Sequence, residues 1–196
     1  MQTLAQIAIY VISTLGTLYI SLVLLRFLAQ LVRADYYNPM SKALVKYTNP
    51  LLIPLRKIIP GLFGIDVAAL VLALLLQAIL IQIILLLAGA GLINPLYLLA
   101  WSAISLVGLV LTFYYWGVII MIIASWVAPQ SHNPALSLLR QILEPVMAPL
   151  RKIIPPLGML DLSPMIFLMI LHITRNYLMP ALAASVNMPQ GLGFGF

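Results

Sequence analysis

The chain has 196 residues, of which 64% are hydrophobic and only 7% charged, with a formal charge of +6 and a mean hydropathy of +1.14. Soluble domains carry charge on roughly a quarter of their residues, so this composition excludes a water-soluble globular protein and points to lipid. The absence of cysteine excludes disulfides, thiolate metal sites and cysteine nucleophiles.

In chain order, the first apolar run covers residues 4–32 and has no charged side chain before Arg26. It lacks the basic start, short apolar stretch and small-residue site of a cleavable signal, and is expected to be a retained span. At ~1.5 Å per residue it is roughly 43 Å long, enough to cross a bilayer with tilt. A basic loop, 33–65, follows, then a second span over 66–88. Residues 67–139 contain no Asp, Glu, Lys or Arg. That run is too long for one span, and it continues into a third over 95–127. A second basic loop, 128–160, precedes a fourth span over 161–184. The expected fold is all-α: a polytopic membrane protein with four transmembrane helices.

The two loops are copies. Pro54-Leu55-Arg56-Lys57-Ile58-Ile59-Pro60 recurs as Pro149-Leu150-Arg151-Lys152-Ile153-Ile154-Pro155, a displacement of 95 that also superimposes Asn38-Pro39 on Asn133-Pro134, Pro50 on Pro145 and Asp66 on Asp161. From Asn38 to Asp66, 13 of 29 positions are identical between copies, so one unit is written twice. The chain divides into repeat 1 (1–94), repeat 2 (95–188) and a Gly-rich tail (189–196) expected to be flexible. Two crossings per unit return the chain to its starting side. The repeats are therefore parallel, with an expected pseudo-twofold axis along the membrane normal, and both loops share one side. The first loop carries Arg33, Lys42, Lys46, Arg56 and Lys57 and the second Arg140, Arg151 and Lys152, whereas residues 89–94 carry no charge. The positive-inside bias therefore places the loops in the cytoplasm and the termini outside. These basic residues are spread through two inter-span segments without a nucleic-acid signature, so no nucleic-acid partner is expected.

Within each loop, Asn38-Pro39 and Asn133-Pro134 read as helix starts, with Asn as cap and Pro at the first helical position. The residues that follow, such as Leu136, Leu139, Ile142 and Leu143 opposite Arg140, Gln141 and Glu144, suit a helix in the headgroup plane. Pro54 cannot donate to the carbonyl of Pro50, which predicts a break between two short helices in each loop. Asp66 and Asp161 are expected to cap the next span. Arg56 with Asp66, and Arg151 with Asp161, read either as an anchor and a cap or as a duplicated ligand site, with contact to lipid or a partner.

The Asn-Pro pair, the Pro-x-x-x-Pro-Leu-Arg-Lys-Ile-Ile-Pro motif and the following Asp, present twice, resemble the YggT family of integral membrane proteins over nearly the whole chain. The connecting turns differ between copies, with Gly61 and Gly64 in the first and Pro156 and Gly158 in the second. The resemblance implies a role in osmotic-stress tolerance, division, membrane organisation or assembly. It brings no catalytic residues and no cofactor.

Polar groups inside spans mark pathways by default. Arg26 is expected to snorkel to headgroups or pair with Asp35. Gln77 and His172 occupy equivalent positions, and with Gln82 and Arg175 they could line an intramembrane polar path; interhelical hydrogen bonds and outward snorkelling are the simpler uses. Two functions follow. One is a non-enzymatic inner-membrane protein whose basic face engages anionic lipid headgroups, further copies of itself or a membrane partner protein. The other is a small channel or ion transporter for osmotic or potassium balance. No phosphate-binding glycine loop, His-Glu metal pattern or Ser-His-Asp set is present, and no enzyme is expected.

Overall fold

The computed structural model describes residues 2–62, 64–153 and 161–192. Helix α1 is Gln2–Leu31, α2 Pro39–Ile58, α3 Val67–Leu87, α4 Pro95–Val127 and α5 Pro134–Ile153. The last span, Ser163–Ser185, consists of α6 (Ser163–Ile173), a π-helical turn (Thr174–Leu178) and α7 (Met179–Ser185). Among the described residues, four helices are long and apolar enough to cross a membrane, as the apolar runs predict. Their ends are set chemically. Asn38 and Asn94 accept from the N–H groups of Met40 and Leu96, Pro39 and Pro95 occupy the first helical positions, and Asp66 accepts from Ala69 N–H. The π-helical turn precedes Pro180, which has no N–H to donate back along the helix.

The loop helices depart from expectation. Both α2 and α5 run unbroken through Pro50 and Pro54, and through Pro145 and Pro149. Spacing by four puts each proline pair on one stripe, and all four rings face outward. The hydrogen bonds they forfeit therefore fall on the outer side. The opposite stripes, Ser41, Leu44, Thr48 and Leu52 on α2 and Leu138, Ile142, Leu143 and Met147 on α5, are buried and hold the helices in place.

Helix α3 is the centre of the main core, packing between α1 and α4 and under α2. Gly16 of α1 makes that approach close: a Cβ there would lie 2.7 Å from Leu80 Cδ1. A second cluster joins α4, α5 and α6 around Val118, Leu143 and Phe167. The expected twofold relation is not reproduced. Helix α3 packs against α4, but among the described residues α6 makes no comparable contact with α1, so the halves meet head to tail. The cause is tethering, because the short link from Leu87 to Pro95 holds α3 and α4 together, whereas no such link joins α6 to α1 among the described residues. The tail is a further correction. Of its described residues Pro189, Gln190 and Gly191 are exposed, but Leu192 is buried and its carbonyl accepts from Ser105 Oγ at 3.4 Å; just before the tail, Met188 is buried and the Val186 carbonyl accepts from Trp101 Nε1 at 3.0 Å.

The loop helices touch at one end of the bundle. Asn38 Nδ2 donates to the Pro134 carbonyl at 2.8 Å, and Asp35 N–H donates to Gln141 Oε1 at 2.7 Å. Asn38 thus caps its own helix and ties it to the other repeat, whereas Asn133 accepts from Ala135 N–H on its own helix alone among the described contacts. Asn38→Ala is expected to cost about 1–2 kcal/mol of stability and Asn133→Ala about 1 kcal/mol or less. Thermal melts of the two variants in detergent check the order.

Candidate functional site at the motif end

Each repeat returns from its loop helix into the next span through a short connection, which brings the motif arginine back onto the aspartate that begins that span. In repeat 1, Arg56 is paired with Asp66 and also donates to Gln30 Oε1 on α1 at 3.2 Å. The Asp66 carboxylate is 4% exposed against 37% for the Arg56 side chain, so this is a buried acid held by a half-exposed base. In repeat 2, Arg151 donates to Asp161 at 3.0 Å and to both oxygens of Glu144 at 3.0 and 3.1 Å. Partial burial opposes ionisation at both groups there. The hydrogen bonds and opposite charges outweigh it, raising Arg151 and holding Asp161 below the ordinary carboxylate range, with Ser163 contributing at Asp161. Asp161 is not itself the cap residue; it accepts from Ser163 N–H at 2.9 Å, just inside the span.

The rest of the motif faces outward. Lys57, Lys152 and Pro60 are exposed, Arg140 is exposed on α5, and Pro155 lies outside the described residues. Lys42 sits over the Tyr37 ring at 5.5 Å and Lys46 over Tyr47 at 5.8 Å. Exposed Tyr36, Tyr37, Tyr47 and Trp126 accompany them, the aromatic composition of a membrane interface.

Arg26 corrects its expectation. It is buried and does not meet Asp35; it donates to Thr48 Oγ1 (2.6 Å), Asn49 Oδ1 (2.8 Å) and the Val45 carbonyl (3.4 Å), binding α1 to α2. The four intramembrane polar residues are directed to separate places. Gln82 bridges the α3–α4 link, donating to the Gly91 carbonyl and accepting from Ile93 N–H. His172 is exposed beside Asn176, and Arg175 lies over the Tyr115 ring at 4.7 Å. Gln77 is fully buried, with neither amide atom hydrogen-bonded among the described residues. Gln77 and His172 remain equivalent by the displacement of 95, but they do not meet, because among the described residues α3 and α6 do not pack together. The inter-repeat ties from Asn38 and Asp35, and the Glu144–Arg151 pair, escape sequence reasoning. Only the last left a signal, since positions seven apart share a helical face.

Fold and motif end together define a multi-pass, all-helical membrane protein built from two parallel copies of one helical unit. The chain belongs to the CCB3/YggT family, whose profile matches residues 5–88 and again 100–182. It is similar to an uncharacterized protein of Pseudomonas aeruginosa, 50% identical over 94% of each chain, and to the uncharacterized protein YggT of Escherichia coli K12, 33% identical over 91% of this chain and 93% of that one. A Vibrio alginolyticus protein described by its position 3′ of proC is 39% identical over 87% of this chain and 91% of its own. No solved structure matches.

Arg56→Gln strands a buried carboxylate and is expected to cost roughly 2–3 kcal/mol, whereas Arg151→Gln removes exposed pairs worth about 1 kcal/mol or less each. Chemical denaturation checks the contrast. The depressed Asp161 value means that the ionised carboxylate favours the fold. Its contribution is complete above the ordinary carboxylate value near ~4 and is lost as pH falls through the lowered one. Asp161→Asn is expected to flatten that acid limb in melting temperature against pH.

Proposed function

We propose that the protein is a non-enzymatic organiser of the bacterial inner membrane, with its motif end in the cytoplasm gathering anionic lipid headgroups, and that it contributes in this way to membrane assembly or osmotic-stress tolerance. One observation carries this reading. Polar groups in the spans are largely spent on the fold's own helices and turns, whereas Lys42, Lys46, Lys57, Arg140 and Lys152 stand outward on the two loop helices at one end of the bundle. Each basic residue near an anionic surface contributes about 1 kcal/mol of attraction, which falls away beyond ~10 Å in 0.1 M salt. The interfacial tyrosines and Trp126 support the same placement. Self-association or capture of a membrane partner protein would use the same end.

A small ion-conducting protein is the second reading. Its specific support is the Gln77 amide, buried without a partner among the described residues, which is the kind of group that lines a hydrated path. The experiment is reconstitution into vesicles of phosphatidylglycerol and phosphatidylcholine. Potassium leak is expected to match that of empty vesicles. Replacing the five exposed basic residues together with Gln is expected to lower enrichment of phosphatidylglycerol around the protein at least threefold, in a salt-sensitive manner. Potassium flux abolished by Gln77→Ala would establish the channel reading instead.

A further inference from the structure

The duplicated unit carries a duplicated crevice. In repeat 2 a small one, about 100 Å³, lies between the end of α4 and α5 and is lined by Met121, Ala124, Ser125, Ala128, Pro129, Ser131, Leu136 and Arg140. Subtracting 95 from each gives Arg26, Ala29, Gln30, Arg33, Ala34, Tyr36, Ser41 and Val45, and every one of these lines a crevice of about 690 Å³ between the end of α1 and α2. The frame is shared and the chemistry is not. Repeat 1 has Arg26, Arg33, Ser41 and, beyond the shared set, Arg56, where repeat 2 has Met121, Ala128, Leu136 and an Arg151 already held by Glu144 and Asp161; in the other direction, Arg140 of repeat 2 stands where repeat 1 has Val45.

Arg33 is the unusual member. Three helix ends close with the same geometry, an N–H bonded to the carbonyl five residues back: Ala34 to Ala29, Ala90 to Leu85 and Met188 to Ala183. That turn puts the preceding residue in the left-handed region. At two of the ends the residue is Gly89 or Asn187, the types that tolerate it, and at the third it is Arg33, with φ +54°. A β-carbon there costs roughly 1–2 kcal/mol. The Arg33 side chain has no hydrogen-bond or ion-pair partner among the described residues, so no contact within the fold compensates. Ser41, on the crevice wall and more than nine-tenths buried, likewise has a hydroxyl with no partner. Three guanidinium groups line the crevice with no carboxylate among the lining residues, and Asp66, just outside it, is paired with Arg56. Asp35, the nearest acid in sequence, accepts from Tyr37 N–H and is not part of the lining.

We propose that this repeat 1 crevice is a single phosphate site for the headgroup of an anionic phospholipid, with Arg33 and the Ser41 hydroxyl as the groups waiting for it, and that repeat 2 has lost the equivalent site. The proposal rests on the lipid-gathering reading above and narrows it to one stoichiometric position. Arg26 and Arg56 supply positive field while remaining bonded within the fold, and Ile53 and Leu44 on the crevice wall give the glycerol region an apolar neighbour.

The test uses the whole protein in detergent, with native mass spectrometry and thermal shift on dioctanoyl phosphatidylglycerol, dioctanoyl phosphatidylcholine and inorganic phosphate. One phosphatidylglycerol per chain is expected, favoured over phosphatidylcholine, with inorganic phosphate competing only weakly. Arg33→Gly relieves the left-handed strain, so it should melt at or above the wild-type temperature yet bind about tenfold more weakly. Ser41→Ala should weaken binding several-fold, and Ser125→Ala, in the repeat 2 crevice, should leave this site unchanged. Full binding by Arg33→Gly overturns the site. If anionic enrichment in vesicles is still lost when the five exposed basic residues are neutralised, the general reading survives that failure. Inorganic phosphate binding as tightly as the lipid overturns the lipid assignment, and equal binding of both lipids by every variant overturns site and general reading together.

Discussion

A chain in hydrocarbon must satisfy its polar groups from within, and it can place irregular or charged structure only at the ends of its helices. Two crossings per unit and one unit repeated therefore bring everything charged in the loops to one end. There the loop helices meet directly, through Asn38 on the Pro134 carbonyl and Gln141 on Asp35 N–H. That meeting adds a polar junction at the motif end to the larger apolar one, where α3 packs against α4.

The same constraint explains the fate of the polar side chains in the spans. Arg26, placed one or two turns from the motif end, reaches α2 and makes three hydrogen bonds there in place of water. Gln82 closes the opposite link, where a turn with glycines at positive φ leaves backbone groups to be met. Arg175 lies over an aromatic face on the neighbouring span. Gln77 keeps a fully buried amide with both atoms unbonded among the described residues, and for that reason it carries the competing reading.

Much of the fold was legible in the sequence because its signals are local. Apolar runs bounded by Asn-Pro or Asp gave the spans to within a few residues, and the register of 95 between copies gave the two equivalent loops. Proline chemistry misled where it was read without its surroundings. Pro50 and Pro54 remove hydrogen bonds, but on the outer stripe, while Thr48 and Leu52 on the inner stripe hold the helix together. Symmetry misled for a related reason: identical sequence specifies identical units, but the link from Leu87 to Pro95 specifies how they join, and it occurs once. Of the motif end, Arg56–Asp66 and Arg151–Asp161 could be read from spacing. Arg26 on Asn49 and Arg33 beside Ser41 could not, since they depend on how α1 lies along α2.

The account stands or falls on whether the loop helices share one face of the membrane. The chain has no cysteine, so single-cysteine variants at Lys46, Ser137 and Gly91 report position without background. Labelled with an impermeant maleimide in intact spheroplasts and in inverted vesicles, positions 46 and 137 should react from the same side and position 91 from the other. Reaction of 46 and 137 from opposite sides would contradict the arrangement.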